Sequence, residues 1–95
     1  MGVNIFVPCE ATANLEAING TAMEKAKGRF DWCKPFEGPG GALLTLNDAL
    51  AFDDDSAPYW VLTGGKMHTI KNRAQWQHLL KASGASHVCF LKARG

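Results

Sequence analysis

The residues able to do chemistry in this chain are few and widely spread. Three cysteines (Cys9, Cys33, Cys89) and three histidines (His68, His78, His87) are the candidate metal ligands and nucleophiles. Structural zinc sites draw their ligands in close pairs, because one tight turn then supplies two of them. Here Cys9 and Cys33 stand far apart. His87 and Cys89 are two positions apart, which in a strand places them on one face, but no second pair completes a site. A nucleophilic cysteine needs a base beside it. No spacing ties Cys33 to a histidine, and the Trp32-Cys33 neighbourhood reads as core. The expectation is no metal, no cofactor and no catalytic residue.

Two further patterns have ordinary explanations. Asp53-Asp54-Asp55 lacks the ordered alternation of a calcium loop and reads as a solvated turn or helix end. Thr63-Gly64-Gly65-Lys66 lacks Walker A spacing. Two consecutive glycines between β-prone runs supply the positive φ of a tight hairpin.

Charge is the one feature out of the ordinary. Residues 1–55 hold all nine acids and only four bases, Lys25, Lys27, Arg29 and Lys34. Residues 56–95 hold six bases, no Asp or Glu, and all three histidines. Long cations on a carboxylate-free stretch suit contact with phosphates. The expected partner-binding or nucleic-acid-binding residues are Lys66, Lys71, Arg73, His78, Lys81, Lys92 and Arg94. Tyr59 and Trp60 could stack on bases if exposed. The plain alternative is that the two halves pack together and neutralise one another. No helix-turn-helix, zinc-finger or RNP pattern accompanies the charge.

The elements that must position these residues follow from periodicity. The hydrophobic fraction of 46% and the length of 95 residues fit one domain over 1–95, with an acidic half 1–55 and a basic half 56–95. No apolar run spans a bilayer. The odd, scattered cysteines fit reduced thiols, so a soluble, cytoplasmic protein is expected. Ile5-Phe6-Val7 reads as a short strand over about 3–7, stopped by Pro8 or lying at an edge. Ala11, Leu15, Ile18, Ala22 and Ala26 line one helical face. Asn19-Gly20 suggests a break there, with Thr21 and Glu24 as a second capping box. The helix ends near Gly28. Pro35 to Gly41 reads as an exposed loop, and Thr45 or Asn47 can open a short helix.

The C-terminal half is more legible. Tyr59–Leu62 and Met67–Ile70 flank the glycine turn as a hairpin. Asn72 and Gln75 have capping-box spacing before Trp76, Leu79 and Leu80, with Gly84 as a C-cap. His87–Leu91 reads as a strand. The predicted fold is α+β: a small antiparallel sheet of hairpin 59–70 and strand 87–91, joined at an edge by the N-terminal strand, packed on a helix over 73–83. Both hairpin faces are apolar, so the sheet is covered twice or one face awaits a second subunit or partner.

The stretch His68-Thr69-Ile70-Lys71-Asn72-Arg73-Ala74-Gln75-Trp76-Gln77-His78-Leu79-Leu80-Lys81-Ala82-Ser83-Gly84 resembles C-terminal segments of small uncharacterised bacteriophage proteins. Those segments carry Ile, then Arg-Ala-Gln, an aromatic residue, Leu-Leu-Lys and Gly. Some such proteins begin with paired-cysteine zinc ribbons, which this chain lacks. The resemblance implies a phage or prophage origin, and with it the host cytoplasm. It brings no catalytic residue across.

The functional expectation is a small non-enzymatic interaction protein, such as a phage factor binding a host protein. The alternative is a nucleic-acid binder using the basic half. A macromolecular partner, protein before nucleic acid, is expected, with no membrane; a homo-oligomer is left open.

Overall fold

A computed structural model describes residues 2–95. Its elements are β1 (Gly2–Cys9), α1 (Leu15–Ala26), β2 (Trp32–Pro35), β3 (Leu43–Thr45), α2 (Leu46–Leu50), β4 (Tyr59–Thr63), β5 (Lys66–Thr69), α3 (Arg73–Ala82) and β6 (His87–Arg94). The α+β expectation holds, but the sheet is larger than expected. It has six strands in the order β2-β6-β1-β4-β5, with β3 also paired to β6. Four of the pairings are antiparallel, whereas β1 runs parallel to β4.

The N-terminal strand corrects the sequence reading most. It lies between β6 and β4 rather than at an edge, and it continues through Pro8 to Cys9. Proline fits because of strand geometry. The Asn4 N–H donates to the Pro58 carbonyl, 2.9 Å away, on the β4 side. Alternation points the Pro8 nitrogen the same way, and there the β4 ladder has already ended at Phe6 and Val61. No ladder hydrogen bond is lost. On its other side β1 pairs with β6 from Gly2–Arg94 to Cys9–His87.

The Gly/Pro loop is likewise more structured than a free loop. Strands β2 and β3 occupy one edge of β6 in succession, and the loop bulges between them. Phe90 anchors both ends of the bulge. Its N–H donates to Ala42 O at 2.7 Å, and its carbonyl accepts from Phe36 N at 3.0 Å. The chain folds back over the Phe36 ring, where any Cβ at Gly38 would overlap the ring.

Helices cover both faces. On one face α1 packs over Ile5, Val7, Leu62, Cys89 and Leu91. On the other, α2 and α3 pack over Phe6, Val61, Val88 and Phe90. Phe6 centres that second core. It stacks on Phe90 with centroids 5.1 Å apart and meets the Trp76 ring edge-on at 5.3 Å. Such ring pairs add about 0.5–1.5 kcal/mol each beyond the area they bury. The two apolar hairpin faces are thus both covered within the chain: Tyr59 and Val61 by α3, Trp60 and Leu62 by α1.

Helix α1 is continuous through Asn19-Gly20. Asn14 caps it, accepting from Ala17 N at 3.2 Å, so Thr21 is an interior residue and not a second cap. Asn19 has a tertiary role: its Nδ2 donates to Cys33 O at 2.8 Å and ties α1 to β2. Thr45 caps α2. For α3, Asn72 Oδ1 accepts from Gln75 N at 2.8 Å, and Gln75 Oε1 accepts from Lys71 N at 2.7 Å, one residue before the cap.

Candidate functional site, a cationic cleft beside the hairpin

Lys25 stands in the last turn of α1, and Lys27 follows as its C-cap with φ 52° in the left-handed region. Gly28, also at positive φ, completes the reversal. Arg29 is then held in place twice. Its Nε donates to Ala26 O at 3.0 Å, and its guanidinium lies 4.7 Å from the centroid of the Trp60 ring. From the other side the hairpin delivers Lys66. Gly64 and Gly65 take φ values of 61° and 73°, so the turn is two residues long and Lys66 pairs directly with Thr63.

These segments enclose an open cleft of about 260 Å³, lined by Lys25, Lys27, Arg29 and Lys66, with Gly65 and Met67. Four cations line it and no carboxylate does. Two carbonyls at the nearby helix end are already engaged. Glu24 O accepts from Lys27 N, and Ala26 O accepts from both the Arg29 N–H and its Nε. Mutual repulsion among four cations is relieved by any anion that enters, and a recessed surface focuses the field.

Of the seven binding residues expected from the sequence, the cleft holds only Lys66. Lys71 and Arg73 line a different hollow of about 370 Å³, together with Asp53 and Asp55. Arg73 is further engaged, donating to Leu50 O at 2.9 Å and lying 5.0 Å from the Trp76 ring centroid. Lys92 and Arg94 belong to β6, which runs past Leu91. Lys92 Nζ reaches Asn4 Oδ1 at 2.6 Å. Arg94 is exposed at the end of β6, opposite Gly2 and Trp32. His78 and Lys81 are exposed on α3. Sequence reasoning passed over Lys25, Lys27 and Arg29 because they sit in the acidic half. The alternating Lys-x-Lys-x-Arg run at the end of a helix was the available signal.

The aromatic residues weighed for base stacking are packing residues. Tyr59 meets Phe6 at 5.2 Å and Trp76 at 5.2 Å, and Trp60 meets Phe30 at 5.2 Å. Burial pushes the Cys33 thiol up to about 11 and the Cys89 thiol up to about 12, and it raises Cys9 as well. All three are protonated at neutral pH, and a thiol is a poor nucleophile beside a thiolate. Among the described residues no group of three or more His, Cys, Asp or Glu side chains is placed to hold a metal ion. No helix among them is long and apolar enough to cross a membrane.

No family model matches the chain, and no curated protein or solved structure matches it.

Proposed function

We propose that this chain is a small non-enzymatic interaction protein that engages an anionic macromolecular partner through the cleft of Lys25, Lys27, Arg29 and Lys66. One observation carries the reading: four cations, three from the end of α1 and one from the hairpin, converge on one recess whose lining has no acid. Arg29 is pre-positioned by its bond to Ala26 and its place over Trp60, which lowers the ordering cost of binding. Nucleic-acid binding through the basic half has less support. Its cations fall in separate places, and Asp53 and Asp55 stand beside two of them.

Elution from a heparin column, a generic polyanion, tests the site. Lys27→Glu with Lys66→Glu should elute at markedly lower salt than the parent. Lys71→Glu with Lys81→Glu, the same charge change elsewhere, should shift elution far less. Equal shifts for the two pairs would mean that only net charge matters, and the cleft would lose its standing as the site.

A further inference from the structure

Beside the cationic cleft lies a second hollow of about 340 Å³ with a different character. Val7 and Pro8 at the end of β1, Ile18 of α1 and Leu62 of β4 give it apolar walls. The Gly64-Gly65 turn forms part of its rim, and Gly65 also lines the cationic cleft, so the two recesses meet at the hairpin tip. Helix α1 runs past both. Thr21 borders the apolar recess and Lys25 the cationic one. Four residues of helix separate them by about 6 Å along the axis. The glycines put no side chain of their own at the junction, and a Cβ added at Gly64 or Gly65 would meet nothing within 4 Å.

An apolar recess one helical turn from a cluster of four cations is complementary to a ligand with an apolar group next to negative charge. The rim bears on what kind of ligand this is. Ala17, Thr21, Gly64 and Gly65 border the apolar recess and are exposed. An acyl chain needs a site that encloses most of its surface, whereas a single side chain from a docked segment needs only a shallow one. Nucleic acid would use the cations but offers the recess no apolar group on its bases larger than the thymine methyl. The rings of Trp60 and Tyr59 are half-buried and engaged, Trp60 by Phe30 and Arg29, and Tyr59 by Phe6 and Trp76, while the exposed Trp32 lies on β2, at the far edge of the sheet from the hairpin.

We infer that the seam between α1 and the β4–β5 hairpin binds an acidic peptide segment of a partner protein that carries one apolar anchor. The anchor side chain sits against Val7, Ile18 and Leu62. The adjoining carboxylates lie against Lys25, Lys27, Arg29 and Lys66. This rests on the anionic-partner reading and adds to it the apolar anchor and the class of partner.

Fluorescence anisotropy on the full chain separates the two claims. Three labelled probes are used: a peptide with a leucine followed by a run of glutamates, the same peptide with alanine for the leucine, and a single-stranded oligothymidine of comparable charge. The leucine peptide should bind about tenfold more tightly than the alanine peptide, the ratio that about 1.4 kcal/mol of anchor burial gives. Thr21→Gln projects a longer polar side chain at the recess from an exposed helical position. It should abolish that tenfold advantage and leave the alanine peptide unchanged. Lys27→Glu with Lys66→Glu should weaken both peptides. Equal binding of the two peptides overturns the anchor while the anionic reading stands. Tight oligothymidine binding with neither peptide bound overturns the partner class. Failure of all three probes at low salt removes both readings.

Discussion

The ammonium of Lys92 lies 2.6 Å from Oδ1 of Asn4, a side chain with no solvent exposure whose Nδ2 has no hydrogen-bond partner. The two residues sit directly opposite each other on β6 and β1. Their contact therefore joins the first strand to the last. Lys92→Met keeps most of the aliphatic stem but withdraws this donor from a buried oxygen, which should cost about 1–3 kcal/mol. Asn4→Leu with Lys92→Met removes both polar ends, so the pair should cost less than the two single changes added together. Urea unfolding of the four proteins measures this. Simple additivity would show that the contact contributes nothing specific.

Asn72 holds the start of α3 through its bond to Gln75 N. Asn72→Ala should destabilise the fold by about 1 kcal/mol, seen as a lower urea midpoint with an unchanged slope. A changed slope would mean that α3 detaches on its own instead.

The hairpin turn tests backbone conformation without a steric clash, because a Cβ at either glycine meets open space. Gly64→Ala and Gly65→Ala should each cost about 1 kcal/mol from the left-handed φ alone. Gly64→Asn should be tolerated better, since asparagine adopts that region readily. Thermal denaturation that ranks asparagine with alanine would contradict the assignment of strain to φ.

Arg29 should matter for its geometry as well as its charge. Arg29→Lys retains a cation in the cleft but gives up the planar group over Trp60 and the bond to Ala26. Heparin elution should move to lower salt, by less than for Lys27→Glu with Lys66→Glu. Stability should change by under about 1 kcal/mol, because an exposed cation–π contact contributes about 0.5–1 kcal/mol. Tryptophan fluorescence should also change, reporting Trp60.

Cys89 makes the fold sensitive to alkali. Burial raises its thiol from the ordinary 9.0 to about 12, so the native state favours the protonated form. The corresponding stability is fully present below pH 9 and is lost as pH rises from there through about 12. Between about pH 7 and pH 10 the loss through this thiol is about 1–2 kcal/mol. Cys89→Ala lowers stability at neutral pH by leaving a small void, but its decline with pH should be shallower. Parallel urea titrations at the two pH values compare the slopes, and equal declines would exclude Cys89 as a source.

What the sequence made legible was local. The Gly-Gly turn, the Asn72 cap and the start of β6 are set by residues within a few positions of one another, and all three are present in the structure. The position of β1 was not legible. Pro8 argued for an edge, and only the early end of the β4 ladder makes proline harmless in a central strand. Strands β2 and β3 were hidden because each is short and leans on β6, a long-range partner that no local pattern reveals. The cleft was hidden for a related reason. Dividing the charges at residue 55 placed Lys25, Lys27 and Arg29 among the acids, whereas folding carries them to Lys66.

The pairing of β1 with β6 also bears on how the domain comes into being. Gly2 is opposite Arg94, so the middle of the sheet cannot close until β6 has been synthesised. Until then β1, with its run of Ile5, Phe6 and Val7, leaves the ribosome without its antiparallel neighbour. The nascent chain must keep that adhesive segment from wrong partners until β6 has emerged. Loss of the eight residues of β6, His87–Arg94, would leave the emerging polypeptide without its central seam.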